Sequence, residues 1–425
     1  MFTSATRSAG LERTETFVRT GARQYAKARN FDFGPNNRAN VSTLSPYIRH
    51  RLILEQEVIS QTLARHSAGH VSKFLEEVFW RAYFKGWLQH RPAVWSDYQA
   101  SLRTLIGQLE AEPTLLDRYN AAVGGNTGID CFDAWARELV DTGYLHNHAR
   151  MWFASIWVFT LKLPWQLGAD FFLRHLVDGD PASNTLSWRW VSGLHTKGKT
   201  YLARVSNIVN YTDGRFDPKG LSTTAEPLTE RAEYEPQALE FRDELLPTES
   251  YGLLVTEDDC YPETLASGLQ PVAVTGGLAI RNRSALPVGI EAFNFSSAAV
   301  RDAVDRASRH FGVEGGYFEA DDWSESLAEW ATKHHVNTIV TAMPPVGPVA
   351  DALSAATHAL ARYGIRIVEL SRAYDREAWP HAQRGYFKLK KQIPAIIDRL
   401  ELDELEPVMP QRVAAGDETR LSSGG

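Results

Sequence analysis

A chain of 425 residues, 44% hydrophobic and 23% charged, has ordinary globular composition and is long enough for two domains. Its two cysteines, Cys131 and Cys260, exclude a disulfide framework and any four-thiolate metal site; its best apolar run, residues 151–160, is too short to span a bilayer, so the reading is a cytoplasmic protein. The net charge of −7 is uneven: residues 1–220 hold 26 Lys+Arg against 20 Asp+Glu, and the remainder 19 against 32, a division compatible with a phosphate-binding surface on the first part.

Residues up to about 15 read as a frayed tail. A helical pattern over 16–29 includes Phe17, Val18, Tyr25 and Ala28. After the loop FDFGPNNRANVSTLS, the run YIRHRLILEQEVISQTLARH is periodic as one helix, with Ser45–Pro46 as its hydroxyl-capped start. Ser42, Thr43 and Ser45 thus offer hydroxyls and free N–H groups, either for an anion or for capping alone. In HVSKFLEEVFWRAYFKGWLQHRP the stripe Phe74, Val78, Tyr83 and Trp87 predicts a helix. Glu77, Trp80, Arg81 and Phe84 share or adjoin one face, where the Glu77–Arg81 spacing fits a solvated ion pair or a cleft lining.

The stretch 124–190 is the densest in information. Asp130 is the expected cap of a helix that Gly143 ends; a second helix runs from near His146 to Pro164; a third, WQLGADFFLRHLVDG, leads into the turn DGDPASN. Nine of the twelve tryptophans precede residue 191, and Arg, Asp and Asn recur here among apolar helical residues. A buried polar, aromatic ligand accounts for that mixture better than core packing does. No alternating strand pattern appears before residue 205, so residues 12–220 read as an all-α domain. Residues 221–249, rich in Pro, Glu and Ser, read as a linker with at most one short helix. From 250 to 405 apolar β-rich runs (251–256, 271–275, 338–343, 365–370) alternate with helical segments, the grammar of a parallel sheet. GGL at 276–278 and GVEGG at 312–316 make no dinucleotide fingerprint, and residues 406–425 read as a disordered tail.

Six ordered phrases carry a resemblance: NVSTLSPYI, LEEVFWRAYF, GNTGIDCFDAWARELVDTGYLHNHARM, the run ending in KLPW, DGDPASNTLSWRW and LARVSN. Together they resemble the FAD-binding domain of the photolyase/cryptochrome family over about residues 20–215. The resemblance implies a multidomain α and α/β protein: an N-terminal all-α FAD-binding domain followed by a Rossmann-like parallel α/β domain similar to the family's antenna domain. That is a permuted order, because the family places the α/β domain first. It implies FAD as cofactor, with Ser42, Thr43, Leu44 and Ser45 on the pyrophosphate. Tyr25, Phe74, Glu77, Arg81, Asn147, Arg150, Asp178 and Asp180 would complete the cradle. Asn184 would present its amide oxygen to the flavin N5 and favour the reduced cofactor. Trp188 and Trp165 match an electron-transfer chain whose outer member is placed at Trp95. Glu77, Trp80, Asn147, His148, Met151 and Trp190 match the pocket for a cyclobutane pyrimidine dimer, Glu77 as a protonated carboxyl facing the lesion. At His148 the family has arginine. The expected function is light-driven repair of such dimers in damaged DNA, a carbon–carbon lyase activity. The alternative is a cryptochrome-like blue-light photoreceptor signalling through a protein partner. TEDDC after the first strand departs from the family's RRDLR, and the second chromophore stays unassigned.

Overall fold

The computed structural model describes residues 4–241 and 246–404. The first half is helical: α1 (Arg7–Thr20), α2 (Tyr25–Ala28), α3 (Ser45–Arg49), α4 (Glu55–Leu63), α5 (Ala68–Gln89), α6 (Ala93–Ala111), α7 (Pro113–Val123), α8 (Asp130–Thr142), α9 (Asn147–Ser155), α10 (Trp165–His175), α11 (Pro181–Val191) and α12 (Val205–Tyr211). Among the described residues no strand precedes Gly252, as the sequence pattern predicts.

Local chemistry explains where this half departs from expectation. The expected frayed tail is a helix instead. Thr6 caps α1 by accepting from the Ala9 N–H, and the buried Arg7 pairs with Glu57 at 2.5 Å and lies over the Tyr261 ring at 3.5 Å. The expected continuous helix over 47–66 is broken into α3 and α4. Between them Arg51 takes a left-handed φ of 48° and sends its side chain into the interior. Gly143, at φ 65°, ends α8 as predicted, but the residue before the helix is Ile129 rather than Asp130. Asp133 gathers the Thr127 and Gly128 N–H groups there, each at 2.9 Å. Beyond α9 the chain continues in a π turn over Ile156–Thr160.

No helix lies in the described part of 221–249, yet the segment is tied down. Leu228 N–H donates to Ser192 O, Arg189 pairs with Glu230, Arg91 donates to Tyr234 O, and Gln237 exchanges hydrogen bonds with His90. The tail expected over 406–425 lies outside the described residues.

The second half holds β1 (Gly252–Thr256), β2 (Ala273–Gly277), α13 (Ile290–Phe311), β3 (Glu314–Phe318), α14 (Trp323–Lys333), β4 (Thr338–Ala342), α15 (Pro348–Leu360), β5 (Arg366–Leu370), α16 (Ala373–Ala378), α17 (Phe387–Lys390) and α18 (Ile393–Arg399). All neighbouring strands are parallel, in the order β3-β2-β1-β4-β5, an open doubly wound sheet. Four strands coincide with the predicted runs. β3, EGGYF, is an additional edge strand whose glycines hid it.

Strand alternation fixes how the halves meet. Leu253, Val255, Val340 and Val368 point to the face that shares a core with α1, α3–α5 and α13. Leu254, Ile339 and Ile367 point to the opposite face, beneath α14 and α15. One apolar core therefore runs from the helices into the sheet. The segment after β5 completes the join by packing on α5. Gly86 permits this approach, because a Cβ there would come within 2.8 Å of the Trp379 Cα.

Buried charges line the same seam. Arg49 donates to Asp258 at 2.6 Å and to the Glu257 and Gly179 carbonyls at 2.9 Å. Arg51 holds Asp375 by two hydrogen bonds of 2.6 and 2.8 Å, with Asp259 at 3.5 Å and Glu55 at 3.6 Å. Removing one partner of such a buried group strands the other charges in a low-dielectric interior. Arg51→Ala should therefore lower unfolding free energy by about 3–5 kcal/mol, read from urea denaturation. A loss below about 1 kcal/mol, the range of exposed pairs, would mean the network does not hold the halves.

Candidate functional site

Two chain segments converge beside this seam: the turn 42–45 before α3, and 178–184 at the start of α11. Asp178 accepts from the Ser45 hydroxyl at 2.5 Å and from Arg150 at 2.9 Å. Ser45 is thus the first residue of a five-residue helix whose preceding residue is Leu44, and its hydroxyl binds Asp178 instead of capping. Ser42 Oγ accepts from the Leu44 N–H at 3.3 Å. Thr43 sits at φ 51°, and Arg13 of α1 donates to its hydroxyl.

Asp180 caps α11 through the Ser183 N–H at 2.7 Å and faces Arg81 at 3.6 Å and Lys85 at 3.9 Å. Burial alone would raise its pKa, but Lys85, Arg81, Arg49 and the Ser183 N–H outweigh burial and hold it below the ordinary value. Asn184 donates its amide N–H to Ala169 O at 2.7 Å, which fixes the amide orientation and leaves its oxygen to act as acceptor.

The expected Glu77–Arg81 pair does not form. Glu77 pairs with Arg29, which also lies 5.8 Å above the Tyr25 ring, while Arg81 turns to Asp180. Glu77 accepts from Arg29, which brings guanidinium donors beside the carboxyl expected to face the lesion. Burial first, then Glu77, raises the Tyr25 pKa, keeping the phenol protonated. Phe74 packs edge-on against Tyr25, their centroids 5.4 Å apart.

The buried Trp188 lies over Gly168 of α10, where a Cβ would collide with its indole. Trp165 is one turn earlier on α10. Its ring stacks with Tyr98 at 5.7 Å, and Tyr98 meets Trp95 at 5.4 Å. Trp165, Tyr98 and Trp95 therefore form an aromatic series, and Trp188 lies against the same helix, α10, that carries Trp165.

Residues assigned to the mouth separate into two groups. Trp80 is stacked face to face on Tyr386 at 3.6 Å and 10°, and the Tyr386 hydroxyl donates to Glu76 O at 2.9 Å. Trp190, 36% exposed, stacks on Tyr201 at 5.6 Å. Asn147 is exposed at the first position of α9, and Met151, one turn on, is half-buried. His148 turns inward onto Trp152, its Nδ1 bonded to Asn30 O at 3.0 Å and its Nε2 to the Tyr201 hydroxyl at 3.2 Å. A carbonyl partner makes Nδ1 the donor, so Nε2 accepts from Tyr201 and the ring is neutral; burial lowers its pKa accordingly. Both ring nitrogens are already committed.

Residues 74–225 match the sequence family described as the FAD binding domain of DNA photolyase. Over these residues the chain is similar to an FAD-binding domain of the photolyase kind. The deoxyribodipyrimidine photo-lyase of Streptomyces griseus is 35% identical over 180 residues, 42% of this chain and 37% of its own length. That of Escherichia coli is 30% identical over 218 residues, 50% and 44%. The chain thus spans less than half the length of these curated relatives. A class III photolyase structure from Agrobacterium tumefaciens is 26% identical, with a TM-score of 0.41 over 49% of this chain and 43% of that one. A Synechocystis cryptochrome is 21% identical, with a TM-score of 0.42 over the same shares.

The FAD-binding domain contains polar atoms suited to its cofactor. Asp178 Oδ1, Arg81 Nε and Nη2, and Ser183 Oγ are buried without hydrogen-bond partners. Each such group costs about 1–3 kcal/mol if left unmet. They border the Ser45–Asp178–Arg150 contacts, and a dinucleotide's phosphates and hydroxyls offer both acceptors and donors to them. Sequence reasoning missed two cations in this neighbourhood. Arg13 lay in the supposed tail, and Arg29, four residues after Tyr25, carried a helical i,i+4 signal that passed unused.

His146 holds the start of α9, its ring accepting from the His148 N–H at 3.2 Å. Burial lowers its pKa to about 4, so the unfolded chain binds a proton that the folded one refuses. His175 and His195 are also lowered to about 4, mainly by burial. The three histidines should contribute stability that rises with pH between about 4 and about 6.5, the ordinary histidine value, and is lost through that window on acidification, whereas Glu138, raised to about 7 by burial, contributes the opposite slope. His146→Asn keeps an N-cap acceptor but no titration. Urea midpoints at several pH values should show a shallower decline in that variant; an unchanged slope would remove His146 from the acid response.

Proposed function

We propose that this protein repairs cyclobutane pyrimidine dimers in DNA by light-driven electron transfer from reduced FAD. The observation that carries the reading is the agreement between the cradle geometry and relatives named deoxyribodipyrimidine photo-lyase. FAD supplies the light-driven electron. Arg150 and Ser45 orient Asp178 in its cradle, Arg81 and Lys85 set the charge beside Asp180, and Asn184 directs its amide oxygen to the flavin ring. The remaining assignments, Tyr25, Ser42, Thr43, Leu44 and Phe74, line the nucleotide portion.

Trp190 presents an exposed indole face on which a flipped base can stack, and Asn147 and Met151 lie one turn apart on α9. Arg29 takes over the donor role first given to Glu77. The α/β half is the counterpart of the family's antenna domain in swapped chain order. Two buried, unpaired cysteines suit a reducing cytoplasm, and among the described residues no helix is long and apolar enough to cross a membrane.

Two observations favour a second reading, a cryptochrome-like photosensor acting through a protein partner. Tyr386 covers a face of Trp80, and His148 is spent on internal hydrogen bonds. A thymine-dimer oligonucleotide, incubated with photoreduced protein under blue light, separates the two. The repair reading requires restored thymines and lesion binding that weakens with salt. Intact dimers with normal flavin photoreduction would leave the sensor. Trp188→Phe should abolish photoreduction by external donors while sparing repair by chemically pre-reduced protein. Loss of both would give Trp188 another role.

A further inference from the structure

The outer end of the aromatic series differs from a solvent-facing terminus. Trp95 is only 3% exposed, and its indole N–H donates to Asp351 Oδ2 of α15 at 2.9 Å. Tyr98, between Trp165 and Trp95, is equally buried, and its hydroxyl has no hydrogen-bond partner. These two rings therefore respond differently to losing an electron. An oxidised tyrosine is stabilised by giving up its phenolic proton, and no acceptor is hydrogen-bonded to the Tyr98 hydroxyl. An oxidised tryptophan becomes acidic at its indole nitrogen, and at Trp95 a carboxylate already holds that proton.

We propose that Trp95 is the resting place of the electron hole and that Asp351 is its proton acceptor. The inference rests on the flavin-and-tryptophan reading above. The oxidant is the light-excited flavin, which gains one electron. Trp188, Trp165 and then Trp95, past the Tyr98 ring, pass the vacancy outward. The Trp95 N–H bond breaks, its bonding pair stays on nitrogen, and the proton moves to Asp351 Oδ2, leaving a neutral indolyl radical and a neutral carboxylic acid. One electron from a dissolved thiol, with the proton returned by Asp351, restores the starting state. Burial makes Asp351 more basic than an ordinary aspartate, partly opposed by the Trp95 hydrogen bond, which favours the transfer. The consequence is directional: with the proton displaced, back-transfer from the flavin no longer meets a cation.

Asp351→Asn separates this role from a structural one, since the amide oxygen still accepts the indole hydrogen bond but is no base. Transient absorption of the FAD-loaded protein should show a neutral tryptophanyl radical. In Asp351→Asn a cationic radical should recombine at least about tenfold faster, the scale of losing a charge-assisted hydrogen bond. Asp351→Glu should restore the neutral species. In dark protein, the Trp95 indole N–H resonance should shift as Asp351 titrates and stay fixed in Asp351→Asn, a readout independent of the flavin reaction. Equal radical identity and lifetime in Asp351→Asn would overturn the proposal, as would an unchanged radical in Trp95→Phe. If wild-type protein formed no tryptophanyl radical while Trp188→Phe photoreduced normally, the electron-path reading itself would fail.

Discussion

Three consecutive buried side chains, Arg49, His50 and Arg51, hold the cofactor half against the sheet. Arg49 ties the Gly179 carbonyl, between Asp178 and Asp180, to Glu257 and Asp258 after β1. His50 accepts the Ser296 hydroxyl of α13 at 2.8 Å while its Nδ1 donates to Pro46 O, which requires the neutral ring that burial favours. Arg51 gathers Asp375, Asp259 and Glu55. Because all three lie only three to five residues after Pro46, the turn assigned to the pyrophosphate cannot shift without disturbing the interface. The rigidity that a cofactor cradle needs comes from the other half of the molecule.

This network also changes the meaning of the charge division. The acidic triplet Glu257, Asp258 and Asp259 is buried, opposite Arg283, Arg49 and Arg372 respectively, with Arg51 also facing Asp259. Part of the positive excess before residue 220 and of the negative excess after it is therefore complementarity across an internal seam. Burying a charge without a partner is prohibitive, so the two compositions must match wherever the halves touch. TEDDC, read against the family as a departure from RRDLR, acquires a docking role from this arrangement.

Legibility in the sequence followed the range of the interactions. Gly143 and His146 mark helix ends through contacts within a few residues, and the sequence exposed these ends; Asp180, read as part of a turn, caps α11. Arg150 and Asp178, which the family resemblance alone drew into one cradle, do meet. What escaped was set by distant partners. α1 is a helix because Glu57 and Tyr261 give Arg7 a buried seat. Arg51 breaks a periodic run because two distant acids, Asp259 and Asp375, need its charge alongside Glu55 four residues on. Glu77 has two arginines within reach, and helical spacing alone chose the wrong one. β3 lacked the β-branched signature because its edge position asks for pairing on one side only.

The Tyr386–Trp80 stack is the sharpest case of a distant partner, and its energetics bear on repair. An aromatic pair contributes about 0.5–1.5 kcal/mol beyond its burial, and the Tyr386 hydroxyl bond to Glu76 O adds roughly 0.5–1.5 kcal/mol. A base stacked on an aromatic side chain gains about 1–3 kcal/mol. These quantities are of one size, so exchanging the tyrosine ring for a base is close to neutral in energy. Tyr386 therefore need not bar a flipped dimer. On the repair reading it would keep the Trp80 face dry until a ring of comparable area arrived, and the geometry of that displacement would set which lesions fit.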